Sequence, residues 1–234
     1  NWIGGSDFSP RGALYVPPPP DLVAALLDDL VAFANRLDFG AVAQAALAHA
    51  QFESIHPYTD GNGRIGRGLL NTVLRHRGVT TRMAVPVASV LLADVAAYFS
   101  GLDSYRDGGF DQWATFVADA VRIACEEAMT SVDRLTELPD EWSERVRARA
   151  GSAARGLLVV ALEVPVLTSS VVIDRLGVSR RAALTALDRL ADAGVIVEVG
   201  GRKERVWIAD DVVDVLDELQ ERFGRRTSPA NGRG

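Results

Sequence analysis

Twelve consecutive residues, His56 to Arg67, read HPYTDGNGRIGR and bring together a titratable base, a carboxylate, two glycines flanking an amide and two arginines. Residue types at that density point to phosphate chemistry. Gly61 and Gly63 permit backbone angles that turn successive amide N–H groups outward. If a helix starts there, its positive end adds to them and an anion belongs in the cradle. Arg64 and Arg67 stand three apart, so on a helix both guanidinium groups share one face and reach the phosphates of a nucleotide held over the helix start. Asp60, just before the glycines, is a hard oxygen donor suited to Mg²⁺ bridging those phosphates. His56 lies outside the cradle and titrates near neutral pH, which suits a base taking a proton from an incoming hydroxyl. The set predicts transfer of a nucleotidyl or phosphoryl group to an alcohol.

The flanking residues must position this set. Before it, AVAQAALAHAQFESI places Val42, Ala45, Ala46, Phe52 and Ile55 close to the helical period, and Pro57 helps to end that helix. After it, Ile65, Leu69, Leu70, Val73 and Leu74 restart a helical pattern. The expected arrangement is helix, tight loop, helix start. Other readings of the same residues fit less well. GNGRIG matches G-x-G-x-x-G, but a dinucleotide site needs a preceding strand and an acid about twenty residues on; here a helix precedes, and Met83 to Pro86 offers no carboxylate. A zinc site needs further ligands, and only His49 and His76 remain as imidazoles. A plain glycine turn with solvated polar residues does not need the whole combination.

HPYTDGNGRIGR resembles the Fic family signature, H-P-F-x-D/E-G-N-G-R-x-x-R, with Tyr58 in place of the more usual Phe. An aromatic that anchors the loop in the core tolerates a hydroxyl if that hydroxyl finds a partner. The resemblance runs from about Trp2 to a helix ending near Ala128. It implies a mainly α fold with a small β-hairpin flap, and transfer of AMP from ATP to a Ser, Thr or Tyr hydroxyl of a protein target, or of the protein itself. In that reading His56 is the catalytic base and Asp60 holds Mg²⁺. Asn62, with the amides around Gly61 and Gly63, receives the α and β phosphates; Arg64 adds to that site and Arg67 holds the γ phosphate. Tyr98, one of the paired aromatics Tyr98 and Phe99, is the expected contact for the adenine. A phosphotransferase working from the same cradle stays open, as does a homodimer.

The resemblance also assigns WIGGSDFSPRGALYV, about residues 2–16, to the flap, which holds the target's backbone by strand addition; the turn residues within it independently suggest a hairpin. Self-restraining relatives carry a helix with S/T-x-x-x-E-G/N whose glutamate pairs with the second motif arginine. No Glu here precedes Gly or Asn, and the chain starts at the flap. The expectation is that an N-terminal region is missing, and with it the glutamate that would pair with Arg67.

Pro17 to Pro20 form a stiff lead into a helix from Asp21 to Arg36, with Asp21 as its cap and Leu22, Ala25, Leu26, Asp29, Leu30 and Phe33 as a packed face with polar interruptions. His49, one heptad before His56, reads as a hydrogen-bonded structural histidine, Glu53 as a local partner rather than a second base, and His76 as surface. Further helices are expected from Val85 to Phe99 and from Trp113 to Ala128, with SYRDGGFDQW as a turn. The first domain is placed at 1–135.

A charged, alanine-rich stretch, 136–152, reads as a connecting helix with a joint near Gly151. Residues 153–223 then read as a winged helix-turn-helix: a helix at Leu157 to Leu162, another at Ser169 to Leu176, a longer one starting RRAALTALDRLADAG, two short strands in VIVEVGGRKERVWIA, and a closing helix from Asp210 to Phe223. The wing would carry Arg202, Lys203 and Arg205. Eight Lys/Arg face seven Asp/Glu between Ser152 and Asp210, so the domain lacks the excess of positive charge usual for DNA binding. DNA and a protein partner both stay open for it, and with them the alternative of a DNA-binding transcriptional regulator that uses the Fic fold as a nucleotide sensor. Residues 224–234 are expected to be disordered.

The 234 residues are 48% hydrophobic, enough for two cores. A formal charge of −6 argues against a nucleic-acid coat or a membrane-surface protein. Cys125 has no partner for an internal disulfide, and no stretch reads as a membrane span or a signal peptide. Cytoplasm is the default compartment.

Overall fold

The computed structural model describes residues 2–6, 8–81, 85–200 and 205–227. Ten helices and one three-stranded sheet are found among them, in two compact units. Of the described residues, the first unit takes in those up to Glu126 and 223–227; the second is Glu127–Arg222.

The first unit opens with a hairpin. Ile3 bridges Tyr15 and Ser6 bridges Ser9, both antiparallel. The Ile3 N–H donates to Tyr15 O at 2.9 Å and the Leu14 N–H to Ile3 O at 2.8 Å. Helix α1 (Pro20–Ala34) starts with Pro20 in its first turn and Pro19 at the cap position. Asp21 therefore sits inside the first turn, beside the helix's positive end, and is not the cap; a ring-locked φ fits the first helical position better than an aspartate needs to. Of the expected packed face, Leu30 is buried, whereas Leu22 is exposed.

Helices α2 (Ala41–Ile55) and α3 (Asn62–His76) form the core pair of this unit. Small residues let them approach closely. Ala45, Ala46, Ala48 and Ala50 are all fully buried on α2, and a Cβ on Gly66 of α3 would lie 2.3 Å from Glu53 Oε1, 3.0 Å from His49 Nδ1 and 3.1 Å from Phe52 Cδ1. Arg77, at the end of α3, ties the α1–α2 connection down: its guanidinium donates to Phe39 O at 2.8 Å, to Arg36 O at 3.1 Å and to the Gln44 side chain.

The helix expected from Val85 to Phe99 is two, α4 (Val87–Ala93) and α5 (Val95–Arg106), bent by 99°. Asp94 causes the break by capping α5, accepting from the Ala97 N–H at 2.9 Å. Among the described residues no single helix is long and apolar enough to cross a membrane. The helix expected at Trp113 to Ala128 lies in the first half of a much longer one, α6 (Phe110–Val146), which also takes up most of the expected connecting segment. Pro139 lies inside it. Pro139 forfeits one backbone bond, but Leu138, Trp142 and Val146 are buried at helical spacing around it, and that packing outweighs the lost bond.

In the second unit, α7 (Ala153–Glu163), α8 (Ser169–Leu176) and α9 (Arg180–Asp192) pack around Leu157, Leu158, Val172, Ala183, Leu187 and Leu190. Their starts are capped by the side chains of Ser152, Thr168 and Ser179. A short strand not expected from the sequence, β1 (Val166–Thr168), joins β2 (Val197–Glu198) and β3 (Val206–Ile208) in the order β1-β3-β2, all antiparallel. Leu167 pairs with Trp207, both fully buried. Arg202 and Lys203, expected on the wing, lie outside the described residues. Helix α10 (Asp210–Thr227) extends through 224–227, where disorder was expected; 228–234 lie outside the described residues.

Candidate active site

The motif loop is held by its own asparagine. Asn62 is buried, its side-chain oxygen accepting from the Tyr58 N–H at 3.0 Å and its amide donating to Tyr58 O at 2.7 Å. The same amide lies 3.3 Å from His56 Nδ1. One side chain thus clamps the loop and orients the imidazole. Tyr58 itself is half exposed, so its ring does not anchor the loop in the core as the sequence suggested; the Asn62 clamp on its backbone does.

His56 occupies the residue after α2 with φ 46°, a left-handed conformation that costs a non-glycine residue about 1 kcal/mol. Strain of this kind persists where the surroundings over-determine it. Burial, and after it the charge of Arg106, lower the His56 pKa below its ordinary value. That shift favours the neutral ring, the form a base requires.

Gly61 caps α3 with φ 85°, which only glycine adopts without penalty. The N–H groups of Asn62, Gly63 and Arg64 open this 15-residue helix and have no helical acceptor. Asp60 is almost fully exposed; its Oδ1 accepts from the Gly61 N–H at 2.7 Å and its Oδ2 lies 3.9 Å from Arg64. Arg64 is exposed, whereas Arg67 is half buried. A Cβ on Gly63 would meet the Arg67 guanidinium at 2.9 Å, so glycine there lets Arg67 fold back across the first turn. The two arginines expected to act alike thus differ in their surroundings.

Beneath the loop, His49 is fully buried and its Nε2 lies 2.9 Å from the Tyr98 hydroxyl. Desolvation pushes the His49 pKa down to about 4, so it is a neutral structural histidine, as read from the sequence. Glu53 is buried against Gly66 with its carboxyl pKa pushed up by burial. His76 is exposed. Tyr98 departs from expectation. It is buried among His49, Trp113 and Phe99, with its hydroxyl turned to His49, and presents no surface for an adenine. Phe99 is the exposed ring of that pair.

Two residues that the sequence reading passed over stand close to the site. Tyr15 of the hairpin donates its hydroxyl to Ser54 O at 2.6 Å, two residues before His56. Arg106, at the end of α5, lies 3.7 Å from the centroid of the Tyr15 ring. No local spacing could have announced a contact between residues so far apart in the chain. A metal cage made of protein alone is absent: among the described residues no group of three His, Cys, Asp or Glu converges.

Comparison with known proteins agrees with the position of the loop. Residues 4–74 match the model of the Fic/DOC family. Over 75 residues, 32% of this chain and 23% of the relative, the sequence is 41% identical to a probable protein adenylyltransferase of Aquifex aeolicus. It is 28% identical over 155 residues to a protein adenylyltransferase of Caenorhabditis elegans, covering 59% of this chain and 29% of that one. With the Fic protein adenylyltransferase of Aedes aegypti it shares 31% identity over 124 residues, 50% of this chain and 23% of the relative. The matched segments thus span about a quarter of the length of these relatives. A solved Fic family protein from Desulfovibrio desulfuricans superposes with a TM-score of 0.45 at 24% identity, over 82% of this chain and 56% of that one, too loosely to bear on function.

Proposed function

We propose that this chain, whose residues 4–74 match the Fic/DOC family model, is a protein adenylyltransferase, moving AMP from ATP to a Ser, Thr or Tyr hydroxyl of a protein. The observation that carries this reading is the single loop in which a strained His56 is oriented by Asn62 immediately before the glycine-capped start of α3. His56 takes the proton of the incoming hydroxyl as its oxygen forms a bond to the α phosphorus. The bond from that phosphorus to the bridging oxygen of the β phosphate breaks, and pyrophosphate leaves. The open N–H groups of Asn62, Gly63 and Arg64 receive the phosphates, Arg64 adds charge, and Arg67 holds the γ phosphate. Fixed donors of this kind stabilise the charge that develops in transfer without reorganising. The Asn62 side chain is committed to Tyr58, so Asn62 contributes to the anion site through its backbone.

The donor set suits Mg²⁺, which takes one or two carboxylates together with substrate phosphates and water. Asp60 is exposed and stands at the mouth of the cradle, so it would hold the ion. When bound, the ion neutralises charge on the phosphates. Incubation with ATP and Mg²⁺, with and without added lysate, followed by intact-mass analysis tests the reading. One AMP added to this chain or to a lysate protein is expected, and an adduct of phosphate alone would make it a phosphotransferase. No adduct from any nucleotide would count against both.

A second reading concerns residues 153–223, which we take as a winged helix-turn-helix with α9 as its recognition helix. A groove of about 400 Å³ beside α9 is lined by Ser152, Ser179, Arg181, Thr185 and Arg189 and by no acidic residue, which favours a DNA backbone. Arg205 argues the other way, being bound by Asp188 and Glu198. A salt-dependent mobility shift of random duplex DNA that weakens in Arg181→Ala would support a DNA-bound regulator. Absence of any shift at low salt would leave a protein partner.

A further inference from the structure

The base of the hairpin is fastened to the end of α2 at a point where α5 also arrives. Tyr15 closes the hairpin opposite Ile3, and its hydroxyl donates to Ser54 O at 2.6 Å. Arg106 covers the ring of Tyr15 at 3.7 Å and pairs with Asp103 at 2.8 Å. Next to it, Tyr105 donates to Gln51 Oε1 at 2.8 Å, which pins the end of α5 to α2. Arg106 keeps only 16% of its side chain exposed, yet its Nε is buried without a hydrogen-bond partner. An arginine desolvated to that extent for one exposed aspartate is poorly accounted for by stability. Its surroundings suggest a different use, because the Arg106 charge also bears on His56, Glu53 and Tyr98.

We infer that Arg106 is a positioning residue that latches the flap, through Tyr15, at a fixed place beside His56. Rotation of the hairpin about its base is blocked by two contacts of different kinds: the Tyr15 hydroxyl bond fixes its height along α2, and the guanidinium face fixes the plane of the ring. Phe8 and Leu14, 95% and 84% exposed on the hairpin, are thereby presented at a set distance from the base. An extended target segment added to this hairpin would bring its hydroxyl to His56 in one register. That use rests on the adenylyl-transfer reading; the latch itself does not.

The test compares wild type with Arg106→Met and Tyr15→Ala by amide hydrogen exchange and ATP affinity. In both variants the Ile3 and Leu14 amides are expected to exchange about tenfold faster, with the Leu70 and Leu74 amides of α3 and ATP affinity unchanged. Arg106→Lys, which keeps the charge but loses the planar face, should fall between. Flap amides at wild-type rates in Arg106→Met would overturn the latch, as would a loss of ATP affinity as large as the gain in exchange. If Arg106→Met does not fold, Arg106→Gln, which loses the charge but keeps a polar side chain, decides on the same criterion. Failure of wild type to transfer AMP would refute the functional reading while leaving the exchange result to judge the latch.

Discussion

The motif loop and the second unit use arginine in opposite ways. Arg205 is bound by Glu198 at 2.7 Å and by Asp188 at 2.9 Å while stacking on Trp207; Arg175 pairs with Glu163 and Arg145 with Asp211. At the motif, Arg64 reaches Asp60 only at 3.9 Å, and among the described residues Arg67 has no carboxylate within ion-pair distance. Five arginines of the second unit, Arg134, Arg145, Arg175, Arg205 and Arg222, are paired with the protein's own acids. In the loop, Gly63 makes room for Arg67, which also reaches the Tyr98 hydroxyl, and neither Arg64 nor Arg67 has a close carboxylate partner among the described residues; in the proposed reading that leaves charge for a ligand. A site for a polyanion needs this second arrangement, because an internal carboxylate would compete with the phosphate.

The largest predicted effect tests the catalytic side of that contrast. His56→Ala should lower AMP transfer by about 10²- to 10⁴-fold with little change in melting temperature, measured by labelled transfer and thermal unfolding. Next comes acid sensitivity. The folded pKa of His49, about 4, lies below its ordinary 6.5. Above 6.5 both folded and unfolded states carry the neutral ring; as pH falls, the unfolded state binds the proton first, so stability drops between about 6.5 and 4 and then levels off. The shift corresponds to about 3 kcal/mol, opposed in part by Glu53, whose raised pKa favours folding at low pH. Denaturant midpoints at pH 4 and 7 for wild type and His49→Gln check this, with a flatter dependence expected in the variant.

Much of this was legible in the sequence, and the physical reasons differ from place to place. The loop could be read because its chemistry is contiguous: His56, Asp60, the glycines and both arginines lie within one turn and its flanks. Helices α8 and α9 could be read because Ser and Thr caps and Gly177 punctuate them locally. Helix α6 was cut short because Pro139 and the change in composition are local signals, while the burial of Leu138, Trp142 and Val146 that sustains it is tertiary. Tyr98 was misplaced for the same reason: only the fold shows that its hydroxyl belongs to His49. The contact of Arg106 with Tyr15 left no mark in the sequence at all.

Smaller effects sharpen the comparison. Gly66→Ala would drive a methyl group into Glu53 and His49 and should destabilise the first unit by about 1–3 kcal/mol, read as a lower melting temperature. Arg67→Ala should weaken ATP binding by about tenfold and ADP binding much less, by calorimetry, if Arg67 serves the γ phosphate. The smallest effect belongs to the second unit: Arg205→Ala removes exposed pairs and should shift the melting temperature slightly at low salt, with AMP transfer unchanged. A large loss of transfer in Arg205→Ala would break the contrast.

The central claim is best tested by parallel reactions with ATP labelled at the α or the γ phosphate, for wild type and His56→Ala in the presence of Mg²⁺. The account predicts protein-bound label from α-labelled ATP, none from γ-labelled ATP, and none from either with His56→Ala. Label from the γ phosphate alone, or α label undiminished in His56→Ala, would contradict it.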